Sequence, residues 1–520
     1  MKRIIAFVLC VAAVLGLMVG CSGGSGEQAG TKVEKFSVGY AKVDITPTES
    51  VPLRGYGDAM ERFSTGTLQP IYATCVAFAD TDGQVLLLVS HDLGNSFTDM
   101  FDDLRTRAAE ATGLPKSNIM FTASHSHSSP DVARTNVEAI VRYIEWTKEQ
   151  CIQGIKDAIA DLAPATMETG FNRVDRVATT RHYLLSDGTY QGDDHGSVKS
   201  KMVGHATKAD NLLQVVKFTR EGEKAPVVLV NWLGHPKKIG GSEYTLVSPN
   251  YPGVLRDALA EKYGYLVSFV LSGSGNVNNS SYIEGEVAHS DYRELGNRLT
   301  DEVSTILETK LTPGKLDKIH VSENLYTTKA SEVAELTVPL YAFSIGDWAC
   351  ATAPFEIFDT NSMAVRDASK FKMTFFASCA NENYSYLPTP PSYDWAIAYE
   401  ARITKFPAGT SDLIQNELIK QLDQIFEESG NEIVDKGEGY NTPKFVPVSD
   451  GLEYTNPNPG DLTQCKEVAN GFYAIRLLVS GTVTFKDMLC IDKETAEAVA
   501  AQASMKLLFN ESNVIMGLAE

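Results

Sequence analysis

Six short stretches of the chain read as strands of the fully buried kind: Val85 to Ser90, Asn118 to Ala123, Val227 to Trp232, Leu266 to Leu271, Ile345 to Thr352 and Met373 to Cys379. A strand with one wet face alternates apolar and polar residues. These runs are largely continuous, so each must be covered on both faces. That requirement selects a layered α/β architecture with helices packed on sheet. Between the first two runs, apolar residues recur at helical spacing from Phe97 to Thr112, and Gly113 with Pro115 ends the helix. The result is a β-α-β unit whose strands are parallel and share one carboxyl edge. The expected fold is α/β: a mixed, largely parallel sheet core with flanking helices and the site at the strand carboxyl ends, plus a small C-terminal α+β appendage.

The loops that leave these strands carry the chemistry. Ser124-His125-Ser126-His127-Ser128-Ser129-Pro130-Asp131 leaves the second run, Gly234-His235-Pro236 the third and Ser272-Gly273-Ser274-Gly275-Asn276-Val277-Asn278-Asn279 the fourth. Pro354-Phe355-Glu356 leaves the fifth, and Asn381 to Tyr386 the sixth. One His-x-His pair alone is more often two hydrogen-bonded loop histidines. Several unrelated strand ends delivering His, His, Glu and Tyr to the edge where α/β proteins bind ligands is a pattern a metal site requires. Zinc takes imidazole nitrogen and carboxylate oxygen and, in catalytic sites, keeps a position open. His125, His235 and Glu356 form such a set, with Tyr386 as a fourth ligand. Water on zinc is acidified toward neutrality, and attack on a carbonyl then needs a proton carrier and oxyanion donors, for which His127, an Arg and a Tyr are candidates. His91, His182, His195, His205, His289 and His320 lack partners at useful spacing. Asp92 is either a partner of a ligating imidazole or a turn residue. Ser274 lacks the glycine that a nucleophile elbow needs two residues before it.

The remaining chain frames this core. One face of a long helix carries Val137, Ile140, Val141, Ile144, Cys151, Ile155 and Ile159; Phe171 to Lys208 reads as a polar, irregular, site-building loop, and Asp412 to Glu428 as another helix. Prolines from Pro443 to Pro459 mark an extended connection into a tail with strands near Ala474 to Val479 and Thr482 to Phe485 and a helix from Lys493 to Leu507. At the other end, Lys2 and Arg3 precede the apolar Ile4 to Val19, so residues 1–20 read as a signal peptide. A net charge of −20 over 520 residues argues against a nucleic-acid partner. Of the eight cysteines, Cys465 and Cys490 are a possible disulfide pair in an exported protein.

The sequence Leu17-Met18-Val19-Gly20-Cys21 resembles a bacterial lipobox, which implies lipidated Cys21, a flexible tether over 21–36 and a membrane surface as a partner. From about Val38 to about Glu428 the chain resembles the neutral/alkaline, non-lysosomal ceramidases through their N-terminal catalytic domain. The resemblance is carried in order by Val38-Gly39-Tyr40-Ala41-Lys42-Val43-Asp44-Ile45-Thr46-Pro47, Asp92-Leu93-Gly94, Ser124-His125-Ser126-His127-Ser128-Ser129-Pro130, Asn231-Trp232-Leu233-Gly234-His235-Pro236 and Asn250-Tyr251-Pro252-Gly253. Gly275-Asn276-Val277-Asn278, Pro354-Phe355-Glu356 and Tyr386-Leu387-Pro388-Thr389 continue it. It implies zinc on His125, His235, Glu356 and Tyr386, proton transfer by His127, and an oxyanion held by Tyr399 and by an arginine, Arg181 first and Arg173 second. Ceramidases carry Ser near the end of the Gly-rich loop, where this chain has Asn278, so the resemblance implies attack by zinc-bound hydroxide.

These readings converge on an exported, membrane-anchored zinc amidohydrolase acting on an N-acyl sphingoid or related N-acyl lipid. The ceramidase-like domain spans 37–435, and 436–520 forms a linker and small α+β region. That region is too short for the sandwich domain of ceramidases, so an amide or ester hydrolase is implied and ceramide itself is not required. The alternatives are an esterase of the same family or a non-catalytic lipoprotein binding module, the latter motivated by Asn276 and Asn278. Nothing in the sequence fixes an oligomeric state.

Overall fold

Two stacked sheets carry the buried runs. The structure, a computed structural model, describes residues 32–442 except 56–61, 95–97, 187–188, 193–197, 238, 288–290 and 332–333, together with strands within 465–490. The signal segment, Cys21, His195, His289 and the helix expected from Lys493 to Leu507 lie outside the described residues. In the first sheet are β1 (Ser37–Asp44), β2 (Tyr72–Ala79), β3 (Val85–His91), β4 (Ile119–Ala123), β5 (Ala163–Arg173), β6 (Leu212–Arg220), β7 (Val227–Trp232) and β8 (Leu266–Leu271), in the order β8-β7-β6-β5-β1-β2-β3-β4. The second sheet runs β9 (Ile319–Lys329), β10 (Glu335–Ile345), β11 (Trp348–Thr352), β12 (Met373–Ala377).

Alternate residues of each strand face opposite layers. Val76 and Phe78 of β2, Leu86 and Leu88 of β3, and Leu229 of β7 share one core with Phe343, Trp348 and Phe375 of the second sheet. Trp348 is the centre of that core, its ring 5.4–6.0 Å from those of Phe78, Phe218, Phe343 and Phe375. The outer faces are covered by helices. Leu87 and Val89 pack under α1 (Thr98–Thr112) and α2 (Glu138–Ala160), and Val228 and Val230 under α3 (Tyr251–Tyr263) and α4 (Tyr292–Thr309). Ala349 and Ala351 pack under α5 (Asp359–Ala368) and α7 (Thr410–Ser429), with the short α6 (Tyr399–Ile403) between these two in the chain. The layers therefore run helix, sheet, sheet, helix, which is why the continuous apolar runs of both sheets lack wet faces.

The fold is mixed α/β with flanking helices, as expected, but the sheets are not largely parallel. Three pairs of long strands are parallel, β3 with β4, β7 with β8 and β11 with β12, and each is bridged by a helix, α1, α3 or α5. The other long pairs are antiparallel. The physical reason is connection length: a tight turn can only reverse the chain, and a parallel return needs a crossover. Gly83 (φ 90°) turns β2 into β3, and Gly346 (φ 57°) splits the expected single strand Ile345 to Thr352 into the end of β10 and all of β11.

Local expectations also change. The stretch Phe171 to Lys208 is not an irregular loop; it carries a small antiparallel sheet in the order Met202–His205, His182–Leu185, Tyr190–Gly192. On α2, Val141 faces solvent, because the buried stripe runs through Ile140, Tyr143, Ile144, Thr147 and Cys151. The chain stays on the body as far as Thr442, with Tyr440 fully buried and donating its hydroxyl to Gln214. Farther on, Cys465–Ala469, Phe472–Val479 and Thr484–Cys490 form an antiparallel sheet with Phe472–Val479 in the middle. That strand separates Cys465 from Cys490 by two strand spacings, roughly 9–10 Å of backbone, beyond the ~7 Å reach of a disulfide.

Candidate metal centre

The carboxyl ends of the three parallel pairs meet. The loop leaving β12 binds strands of both other units: Ser378 N–H donates to Leu271 O at the end of β8 (2.9 Å), Asn381 N–H donates to Phe121 O of β4 (2.8 Å), and Asn381 Oδ1 accepts from Phe121 N–H (2.8 Å). Residues from both sheets are thereby held at one edge. His125 has φ 67°, and Cys379, Asn381 and Ser385 also lie in the left-handed region, a conformation costly for side chains with a Cβ and tolerated where the surroundings enforce it. For His125 the enforcement is visible: its N–H donates to Leu93 O (3.0 Å), and Ser124 N–H donates to His91 O (2.9 Å).

These loops bring together the residues that the sequence singles out. His125, His127 and His235 pack edge-on in a triangle, with centroid separations of 5.2, 4.8 and 5.4 Å, and one nitrogen from each lies within 4.8 Å of the others. Glu356 Oε2 is 3.3 Å from His125 Nε2 and 3.8 Å from His235 Nε2. Tyr386 lies beside Glu356 in a short parallel ladder, Glu356–Ile357 with Tyr386–Leu387, and Glu356 N–H donates to Ser385 O (3.0 Å). All four expected ligands, and His127 with them, occupy one place. The His127 ring lies 5.2 and 5.4 Å from those of His125 and His235 and offers a nitrogen to the same cluster.

Electrostatics suit a cation. Burial drives His235 and His127 well below the usual imidazole range, with the charge of His125 adding to the effect, so both rings are neutral and able to ligate. Burial would raise the Glu356 carboxyl, but His125 and then Tyr386 outweigh it and hold it near 2. Glu356 is therefore a buried carboxylate. Among the described residues, Glu356 Oε2 and both ring nitrogens of His235 are buried without a hydrogen bond. Such atoms are costly unless something satisfies them. A divalent cation on imidazole nitrogen and carboxylate oxygen would do so, and the donor set is of the kind zinc takes.

Arg181 lies beside this cluster, its side chain 12% exposed. Its Nε donates to Glu400, its Nη2 donates to Gly275 O (2.6 Å), and its guanidinium lies over Tyr386 (5.4 Å) and Tyr399 (6.0 Å). Burial works against its charge, yet Glu400 keeps it firmly protonated. Tyr399 is 44% exposed, at the solvent side of Tyr386, with ring centroids 5.8 Å apart. Burial raises its phenol, as does Glu356. Arg173 is elsewhere, clamping the carbonyls of Gly439, Tyr440 and Asn441. Asp92 does not orient a ligand: it accepts from Tyr72 N–H (2.9 Å) and pairs with Arg256 (2.6 Å).

The Gly-rich loop is also structural. A Cβ on Gly275 would lie 2.3 Å from Glu356 O, and Gly275 N–H donates to Ile357 O (2.9 Å), so the loop exists to let the Glu356 strand approach. Asn276 locks to Asp359 through Nδ2 to Oδ1 (2.7 Å) and from Asp359 N–H to its Oδ1 (2.9 Å). Three contributors escaped the sequence reading. Glu400 grips both Arg181 and His182 (3.0 Å), Lys237 directs charge at His127 and His235, and Arg54 precedes the Gly55 that lies on the His127 ring. The adjacency of Arg181-His182 and of Tyr399-Glu400 was the available signal for the first; the other two carried none.

Fold and cluster together define a layered α/β protein with a histidine- and carboxylate-lined site at converging strand ends. No family model and no curated protein matches the chain. Among solved structures it is similar to the neutral ceramidase from Pseudomonas aeruginosa, at 15% identity and a TM-score of 0.60 over 85% of this chain and 84% of that one. It is similar also to a ceramidase complexed with C2, at 17% identity with the same TM-score and coverage. At these identities the likeness is one of fold, and the fold is the one implied by the order of motifs along the chain.

Proposed function

We propose that the chain is an exported, zinc-dependent amidohydrolase that cleaves the linear amide bond of an N-acyl sphingoid base or a related N-acyl lipid. The observation that carries this reading is the buried Glu356 carboxylate set against the Nε2 atoms of His125 and His235, at a strand-end edge in a ceramidase fold. His125, His235 and Glu356 would hold the ion, with Tyr386 completing the set. Zinc bound there supplies a Lewis acid for the amide carbonyl and a water acidified toward neutrality. His127, kept neutral by burial, accepts a proton and delivers it to the departing nitrogen. Tyr399 donates its hydroxyl to the carbonyl oxygen as charge develops, and Arg181, fixed by Glu400 and Gly275 O, keeps a positive charge behind both tyrosines. Export with lipidation at Cys21 belongs to the same proposal and is supported by the N-terminal sequence.

A binding module without catalysis loses part of its motive, because Asn276 is accounted for by its bonds to Asp359. The test is turnover of medium-chain N-acyl amides by the full chain. Hydrolysis that stops with a chelator and returns with zinc supports the proposal; hydrolysis indifferent to the chelator, or none with any N-acyl substrate, defeats it.

A further inference from the structure

Helix α6 and the residues on either side of it present an exposed face of unusual composition. Ile397, Tyr399 and Ile403 are 41%, 44% and 40% exposed, and no other stretch of the described residues exposes three large apolar side chains in so short a run. Tyr399 and Ile403 stand four residues apart and so share one side of the helix. Arg402 and Lys405 are exposed beside them, and among the described residues neither meets a carboxylate. The one acidic residue of the helix, Glu400, is buried against Arg181 and His182. In a chain whose net charge is −20, the exposed charges of α6 and of the two residues after it are both positive.

The inner side of the same segment is fastened to the body. Thr404 Oγ1 donates to Tyr386 O (2.8 Å), Ala396 N–H donates to Tyr190 O (3.2 Å), and Gly192 N–H donates to Ala396 O (2.7 Å). A Cβ on Gly192 would strike the Ile397 carbonyl, so the chain lies flat on the small antiparallel sheet at that point. Ile397 itself has φ 54°, a conformation costly for a β-branched side chain and tolerated by Asn or Gly. Folding alone favours another residue at a position that is both left-handed and wet. An isoleucine there gains only when something apolar covers it.

We infer that this face docks on a lipid surface that carries anionic headgroups, Ile397, Tyr399 and Ile403 entering the acyl boundary while Arg402 and Lys405 meet the phosphates. A tyrosine among aliphatic side chains, flanked by cations whose long stems follow apolar surface, is the composition of a segment that lies in a membrane interface. The position agrees with it. Tyr399 stands 5.8 Å from Tyr386, so docking sets the candidate site against the layer in which an N-acyl lipid lies. The choice of lipid as the partner rests on the amidohydrolase reading with such a substrate.

The test is flotation of the full chain with lipid vesicles, with Cys21→Ser present throughout so that no acyl group attached there contributes. The vesicles are phosphatidylcholine alone, or phosphatidylcholine and phosphatidylglycerol in equal parts. The otherwise unaltered chain should bind the mixed vesicles about tenfold more tightly than the neutral ones, a preference that fades in high salt. Arg402→Gln with Lys405→Gln should abolish that preference. Ile397→Asn with Ile403→Asn should weaken binding to both vesicles by about tenfold; Asn accepts the positive φ at 397, and thermal melts confirm that the fold is kept. Hydrolysis of a water-soluble, short-chain N-acyl amide should be the same in all of these proteins, since the four altered side chains face solvent. Binding indifferent to both double variants overturns the inference, and so does absence of binding to either vesicle, which would leave the face to a protein partner. Vesicle binding as expected with no amide hydrolysed would defeat the hydrolase reading and leave the docking face standing; hydrolysis of the soluble amide without vesicle binding would do the reverse.

Discussion

Single residues at this site are constrained by contact more than by chemistry. Gly275 is the clearest case, with no room for a methyl group against Glu356 O. Gly275→Ala should cost about 1–3 kcal/mol by overpacking, read by chemical denaturation, and a variant as stable as the wild type would show that the loop yields. Tyr399 is constrained by chemistry instead. If its hydroxyl stabilises developing charge, Tyr399→Phe should lower kcat by about 10²–10³ with KM little changed; an unaltered kcat would remove it from the mechanism. His125, His235, Glu356 and Tyr386 were legible because each closes a buried strand run. Arg54, Lys237 and the grip of Glu400 on Arg181 were not, since a charged residue in a loop gives no sign of which distant side chain it meets.

At the scale of elements, helix α5 and the Gly-rich loop are joined through Asn276 and Asp359, and Asp359 also accepts from Asp210 N–H (2.9 Å). Burial pushes the Asp359 carboxyl up to about 7 against the bond from Asn276. The folded chain therefore keeps this proton to a higher pH than the unfolded chain, which releases it near ~4. The resulting stability, on the order of a few kcal/mol, is complete below ~4 and is lost as pH rises toward about 7. Asp359→Asn cannot titrate, so whatever its overall stability, its Tm should fall less between pH 4 and 7 than that of the wild type. An identical slope in thermal melts would assign the pH dependence to other groups. The β-α-β units were legible as elements because helical and continuous apolar periods differ sharply. The antiparallel strands β5 and β9 were not, since their half-buried patterns, as in Ile319–Lys329, blur into loop composition.

At the scale of the whole molecule, the described residues build two large sheets that close on each other, and the candidate site lies where segments leaving both meet. His125 and His235 lie on loops that leave the first sheet, Glu356 and Tyr386 on a short ladder formed by segments that leave the second, and the aromatic core around Trp348 holds the two sheets in register. Trp348→Ala should lose about 3–5 kcal/mol, read as a lower denaturation midpoint. A cation shared across the sheets should in turn raise Tm, since it binds the folded state alone. The layered α/β class was legible from strands lacking a wet face; the second sheet was not, because the same apolar runs fit one sheet between helices or two sheets back to back. All of this turns on whether side chains from both sheets grip one ion. Elemental analysis of the purified full chain, with His235→Ala and Glu356→Gln beside it, measures that directly. About one zinc per wild-type chain, and little in either variant, is the predicted result. Equal metal content in all three proteins would contradict it.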